Sequence, residues 1–241
     1  MSDFTAVITG GNKGIGADLA DRLLEQGYSV VSVARSAPEK AHPKLHSVEA
    51  DLLEPEAVSK AAETIAAEFD VTHLVHNAGL IWPNLVEDAK PEDITGLAQL
   101  HLGSALTLLQ AALPGMKARR FGRVMFNASR AALGAPTRTA YSASKAGMIG
   151  MARTWALELA PHGITVNVVA PGPILTDNFW GIVEKDSPQQ EALAKRIPVG
   201  RIGTVRDVTN AFLFFCNPEN SFVTGQTLYV CGGASVGTLT I

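Results

Sequence analysis

Apolar residues along the chain follow two alternating periodicities. Short apolar runs at residues 4–9, 29–34, 45–50, 71–76, 123–128, 164–170 and 227–230 read as strands of a buried sheet. Between them, residues 14–26, 58–69, 91–113, 140–159 and 205–216 carry apolar positions at helical spacing. In the first of these, Ile15, Leu19, Leu23 and Leu24 share one face, and Gly27 stops the helix. The last opens on Thr204 with Asp207 three residues on, the spacing of a capping box. Pro38 and Pro43, in "RSAPEKAHPK", leave room for only a short or irregular connection between the second and third strands.

Strands alternating with helices predict an α/β fold: a doubly wound parallel sheet of Rossmann type, with helices on both faces. No internal repeat, low-complexity tract or long linker divides the chain, so one domain over residues 1–241 is expected.

Composition narrows the class. Hydrophobic residues make up 46% of the 241 and charged ones 18%, as in an ordinary soluble globular protein. A net charge of −3 carries no basic footprint, which argues against nucleic acid as the main partner. The densest cationic run, Arg119-Arg120 with Arg123, reads as a solvated helix end. Cys216 and Cys231 lie among apolar residues with no CxxC pattern and no histidine at metal-ligand spacing, so buried free thiols and no metal are expected. The opening "MSDFTAVITGG" lacks the basic region of a secretory signal, and no apolar stretch reaches the roughly 18 residues of a membrane helix. A reducing, cytoplasmic setting away from membranes follows as the expectation.

The chemistry begins at "TGGNKGIG", residues 9–16, straight after the first strand. The strict G-x-G-x-x-G spacing fails in every register. Gly10 can make the turn, Gly14 can let phosphates approach the backbone, and Gly16 can let the helix pack closely, with Gly11 as an extra. At the end of the second strand stands Arg35, where an acidic residue would bond the ribose hydroxyls of NAD. With Lys13 in the glycine loop, it favours NADP(H) over NAD(H). Tyr141 and Lys145 lie four apart in a helical segment and project from one face, and Ser129 follows the fifth strand.

Over essentially its whole length the sequence resembles the short-chain dehydrogenase/reductase family. The resemblance rests on the glycine motif, on "NAG" at Asn77, Ala78 and Gly79, and on Ser129 with Tyr-x-x-x-Lys at Tyr141 and Lys145. "PGPILT" at residues 171–176 and the pair Asp51-Leu52 complete it. It implies hydride transfer between NADP(H) and a carbonyl compound or secondary alcohol. Tyr141 would be the acid/base, Lys145 would lower its pKa and bond the nicotinamide ribose, and Ser129 would hold the substrate oxygen. The cofactor would lie along Gly10, Asn12, Lys13, Gly14, Ile15, Gly16, Arg35, Asp51, Leu52, Asn77, Ala78 and Gly79. Its nicotinamide end would meet Tyr141, Lys145, Pro171, Gly172, Ile174 and Thr176.

One position departs from the family pattern. Where many members carry a helical asparagine, counting back from "QAALP" gives His101. Either it is a packed helix residue, or its imidazole holds a water or relays the proton and titrates near neutrality. Residues 176–200, with Phe179, Trp180 and Ile182, resemble the family's variable lid, and Trp82 would add a wall. Arg130 would suit an anion, whereas the aromatic residues suit a neutral substrate, and the sequence leaves both open. Ala143, Gly147, Gly150 and Thr154 form a small-residue stripe, and the resemblance implies a homotetramer or homodimer. Two alternatives stand beside the general reductase. A 3-oxoacyl-carrier-protein reductase would need a basic docking patch, for which Arg119, Arg120 and Arg123 are too few. A non-catalytic NADP(H)-sensing protein would have no need of Ser129, Tyr141 and Lys145 together.

Overall fold

Seven parallel strands carry the molecule in a computed structural model that describes residues 4–236; residues 1–3 and 237–241, the ends of the expected domain, lie outside the described residues. The strands are β1 (Thr5–Thr9), β2 (Ser29–Ala34), β3 (Leu45–Glu49), β4 (His73–His76), β5 (Gly122–Asn127), β6 (Ile164–Pro171) and β7 (Thr227–Val230). Their order in the sheet is β3-β2-β1-β4-β5-β6-β7. The chain therefore winds outward from β1 to β3, then returns to start the other half at β4. That reversal opens a crevice at the carboxyl ends of β1 and β4, where an open α/β sheet binds its ligands.

Period-two alternation splits the strand residues between two cores. Val7, Val31, Leu74 and Val124 pack beneath α2 (Pro55–Glu68), α4 (Ser104–Arg119) and α5 (Thr139–Leu159). Ala6, Ile8, Val30, Val75 and Met125 pack beneath α1 (Gly14–Glu25) and the late helix Val205–Cys216. The capping box at Thr204 and Asp207 forms as its spacing predicts, and no helix links β2 to β3. Cys216 and Cys231 are free and buried.

Three sequence readings are corrected. The single helix expected over residues 91–113 is α3 (Pro91–Ala98), a π-helical turn over Gln99–Gly103, and α4, which runs on to Arg119. Pro114 sits inside α4 rather than ending it, because Leu108, Leu109, Ala112 and Met116 bury one continuous face that outweighs the local penalty. At the π turn the Leu100 carbonyl is diverted to the Ser104 hydroxyl (2.6 Å) and to His76 Nε2 (3.0 Å).

Of the cationic run, Arg119 and Arg120 end α4 exposed, as expected, but Arg123 does not join them. Arg123 is buried in β5 and donates to the carbonyls of Gly122 and Pro218, both at 2.9 Å, with its guanidinium 4.4 Å over the Phe121 ring. Arg119 pairs with Asp70, and Arg120 donates to the Pro161 carbonyl. Trp82 is no cavity wall: its ring fills the space beside Gly96, where an added Cβ would meet it at 2.9 Å.

Removing the Thr204 hydroxyl should cost about 1 kcal/mol and lower the melting temperature by about 2–4 °C. Thermal denaturation of Thr204→Ala checks this, and an unchanged midpoint would contradict the role given to the cap.

Candidate active site

A cavity of about 560 Å³ opens over the carboxyl ends of the central strands. Every residue expected from the sequence to serve the cofactor or the chemistry lines it, except Gly16. Gly16 lies behind the loop, where a Cβ would stand 2.1 Å from the Gly10 carbonyl oxygen, so its bare backbone sets how closely α1 approaches β1. Gly10 (φ 64°) makes the turn in the left-handed region. Gly14 (φ 56°) faces open space: a Cβ there would find only Thr176 Cγ2, at 3.9 Å. Lys13, the residue before α1, makes no side-chain cap, so the first-turn N–H groups of α1 keep their donors for a ligand.

A polar network ties this loop to the Lys145 side of the cavity. Thr9 Oγ1 accepts from the backbone N–H groups of Asn77 and Ala78, both at 2.9 Å. Asn77 Nδ2 donates to the Thr9 carbonyl (3.0 Å), while its Oδ1 accepts from Asn127 Nδ2 (2.8 Å). The Asn127 carbonyl, in turn, accepts from Lys145 Nζ at 2.7 Å. His76 Nε2 faces the Leu100 carbonyl, which can only accept, so Nδ1 is the acceptor and the Thr9 hydroxyl donates to it (3.2 Å). Burial and nearby Lys145 push the His76 pKa down to about 3, which keeps the ring neutral.

The same reasoning assigns His101, which is fully buried on the π turn. The one proton of the Ser144 hydroxyl goes to the Tyr141 carbonyl (3.0 Å). His101 Nδ1 must therefore donate to Ser144 Oγ at 2.8 Å, leaving Nε2 as a bare acceptor with no partner among the described residues. Nε2 and Lys145 Nζ lie 3.0 and 3.4 Å from the place a Cβ on Gly79 would occupy. Burial and the Lys145 charge hold the imidazole pKa far below its ordinary value. The titration near neutrality considered from the sequence is thus not a property of this ring. It offers a lone pair instead, and packs edge-on to Tyr141 with centroids 5.8 Å apart.

Tyr141 and Lys145 project from adjacent turns of α5, and Ser129 caps the short 3-10 helix Arg130–Leu133 by accepting from Ala131 N (3.1 Å). Burial raises the phenol pKa above its ordinary value, whereas the Ser129 hydroxyl and the Arg138 guanidinium pull it back. The lowering expected from Lys145 does not come from the chain alone. Its ammonium lies 5.5 Å over the ring centroid, points to Asn127, and is itself brought down to about 7 by burial.

Sequence reasoning missed several cavity residues: Ser36 beside Arg35, Asn127, the walls Leu80 and Ile81, and Arg138. Arg138, one helical turn before Tyr141, was legible as a neighbour by spacing. Of the expected lid, Phe179 and Ile182 face the cavity, while Trp180 turns against Phe179 in a small separate cluster. Among the described residues no group of His, Cys, Asp and Glu could hold a metal, and no helix is long and apolar enough to cross a membrane.

Residues 10–235 match the family model described as enoyl-(acyl carrier protein) reductase. A 3-oxoacyl-(acyl-carrier-protein) reductase FabG of Haemophilus influenzae is 34% identical, over 97% of this chain and 98% of its own. BbsD, a subunit of a hydroxy(phenyl)methylsuccinyl-CoA dehydrogenase of Thauera aromatica, is 38% identical over 96% of both. Among solved structures, a candidate NAD(P)-dependent gluconate 5-dehydrogenase of Beutenbergia cavernae with bound NADP superposes with a TM-score of 0.91. It is 31% identical and covers 98% of each chain.

A lysine held near pH 7 in the fold, against an ordinary 10.5, gives a signed dependence on pH. Below about 7 both states carry the proton and the full burial cost is present; between about 7 and 10.5 the unfolded chain binds more protons, so this group's contribution to stability rises with pH. The melting temperature of the wild type relative to Lys145→Met should therefore climb across that window. A difference independent of pH would contradict the buried ammonium.

Proposed function

The chain belongs to the short-chain dehydrogenase/reductase family and is an oxidoreductase acting on C=O or CH–OH groups, and from that premise we propose that it is an NADP(H)-dependent reductase of a small carbonyl compound. The observation that carries the reading is convergence: Ser129, Tyr141 and Lys145 open onto the same cavity as the glycine loop and Arg35.

The residues present suit a dinucleotide. The uncapped first turn of α1 and the open space at Gly14 would receive its pyrophosphate. Arg35 and Ser36, exposed at the cavity mouth with Lys13 nearby, would take the 2′-phosphate; Asn12 Nδ2 donates to Ser36 Oγ at 3.0 Å and steadies it. Asp51 and Leu52 would flank the adenine, and Gly79, Ile174 and Thr176 the nicotinamide end. When bound, the cofactor supplies the hydride in its reduced form and a positive ring charge in its oxidised form.

The chain's own groups then handle the proton. Ser129 Oγ holds the substrate oxygen, and Tyr141 delivers the proton as that oxygen gains charge. Lys145, fixed by Asn127, would bond the ribose and add charge near the phenolate. His101 Nε2, a buried acceptor without a partner among the described residues, faces the gap beside Gly79 on the Lys145 side of the site. Residues 176–200 act as a lid, with Phe179 and Ile182 excluding water from above.

Assembly as a homotetramer or homodimer belongs to the same reading. It is supported by α5, where Gly150 faces open space and Leu157 is 81% exposed. A cytoplasmic setting suits the two free thiols. The relatives named as 3-oxoacyl-(acyl-carrier-protein) reductases make a 3-oxoacyl thioester the second substrate class. Against a carrier-protein partner stand the burial of Arg123 and the pairing of Arg119 with Asp70.

Tyr141→Phe should lower turnover by about 10²–10⁴-fold while NADPH affinity stays near wild type, as read by steady-state kinetics and NADPH fluorescence. Retained turnover would overturn the assignment. Arg35→Ala should raise the KM for NADPH far more than that for NADH, and equal effects would remove the preference for the phosphorylated cofactor.

A further inference from the structure

Arg130 and Arg138 both line the substrate end of the cavity, beside Ser129 and Tyr141. Neither forms an ion pair among the described residues. The carboxylates that line the cavity do not answer them. Asp51 lies at the adenine end, where its Oδ1 accepts from Leu53 N at 3.0 Å, and Asp177 is exposed at the start of a four-residue helix in the lid. Two half-buried arginines without a counter-charge among the described residues are placed to receive an anion.

The backbone holds one of them in place at some expense. Thr137 adopts φ 62°, a left-handed conformation that a β-branched residue rarely takes. Its carbonyl is pinned from across the cavity rim by Asn84 N at 3.1 Å, and Asn84 Nδ2 is tied to Asp93 Oδ2 at 3.2 Å. Arg138 NH1 donates to the Thr137 carbonyl (3.2 Å) and hydroxyl, and among the described residues NH2 and Nε have no acceptor. Arg138 is then set one helical turn before Tyr141, near enough that its charge is felt at the phenol. Arg130 comes to the same end by another route, as the residue after Ser129 at the start of the 3-10 helix.

We infer that the substrate is an oxo acid, its carboxylate taken by Arg130 and Arg138 while its carbonyl oxygen meets Ser129 and Tyr141. The inference rests on the reductase reading above and names the substrate class for it. Planar guanidinium forks match a carboxylate, and Leu80, Ile81, Phe179 and Ile182 give the carbon skeleton an apolar wall. The carbonyl carbon gains hydride and its oxygen a proton from Tyr141, giving the hydroxy acid. The carboxylate is unchanged throughout and serves as the handle.

The test pairs turnover with binding. Oxo acids and their methyl esters are assayed with NADPH on the wild type and on Arg130→Gln, Arg138→Gln and the two Lys variants. Succinate, its dimethyl ester and a phosphate monoester are titrated by calorimetry into the same proteins saturated with NADP⁺. Acids should be preferred over esters by at least about tenfold in kcat/KM, and each Gln variant should cut that ratio by about tenfold, mainly through KM. The ratio is the right readout because loss of Arg138 also changes Tyr141, which affects acid and ester alike. Succinate should bind the wild type, weaken in the Gln variants and recover in part in the Lys variants, whereas the diester should not bind. Equal rates for acids and esters, succinate binding indifferent to both substitutions, or tighter binding of the phosphate monoester would each overturn the inference. Succinate binding that depends on both arginines, with no turnover of any acid or ester, would leave the anion site standing and sink the reductase reading.

Discussion

The Lys145 ammonium, buried beside the cavity, donates one hydrogen bond to an oxygen of the chain, the Asn127 carbonyl at 2.7 Å. Among the described residues its only other contact of that kind is the weak one to Met148 Sδ at 3.7 Å. A charge so placed lowers the stability of the free protein and is relieved when a ligand brings further acceptors. The surrounding architecture serves to hold it there. Asn127 is fixed by Asn77, Asn77 by the Thr9 carbonyl, and Thr9 by His76, whose far nitrogen reaches the diverted carbonyl of Leu100. Three strand ends and the π turn are thereby locked into one polar unit. The glycine loop and Lys145 thus share a single rigid floor, which suits the proposed reaction, in which two bound molecules must align.

The same burial bears on Tyr141 in the opposite sense to the sequence expectation. Within the chain the phenol is pushed up, and only Ser129 and Arg138 offset this. A tyrosine in the acid/base role proposed for Tyr141 would then depend on charge arriving with its ligands. Coupling of this kind would keep the phenol protonated until the site is filled and confine the proposed acid/base chemistry to the occupied cavity.

Much of this was legible in the sequence because it rests on local rules. Strand runs and helical faces are set by periodicity, the Thr204–Asp207 cap by spacing, and the glycine loop by its place after the first strand. What was not legible depends on tertiary company. Nothing in "QLHLG" announces a π turn, since its cause is a carbonyl shared between Ser104 and a histidine from another strand. Pro114 signals a helix end by its own chemistry and is overruled by the buried face around it. Arg123 looks like a surface charge beside Arg120 until β5 carries it inward over Phe121. Arg138 enters the site only because a strained Thr137 is pinned by Asn84, a residue more than fifty positions earlier in the chain.

The ionisation of Tyr141 is the point at which these constraints meet, and it can be observed directly. Carbon-13 labelling at the tyrosine ζ position gives three resonances, from Tyr28, Tyr141 and Tyr229, and a pH titration follows each phenol with and without oxidised dinucleotide. The expected result is a Tyr141 that stays protonated past its ordinary range in the free protein and titrates at distinctly lower pH once the dinucleotide is bound. A Tyr141 that already ionises well below 10 in the free protein, or that titrates identically in both samples, would contradict the central claim.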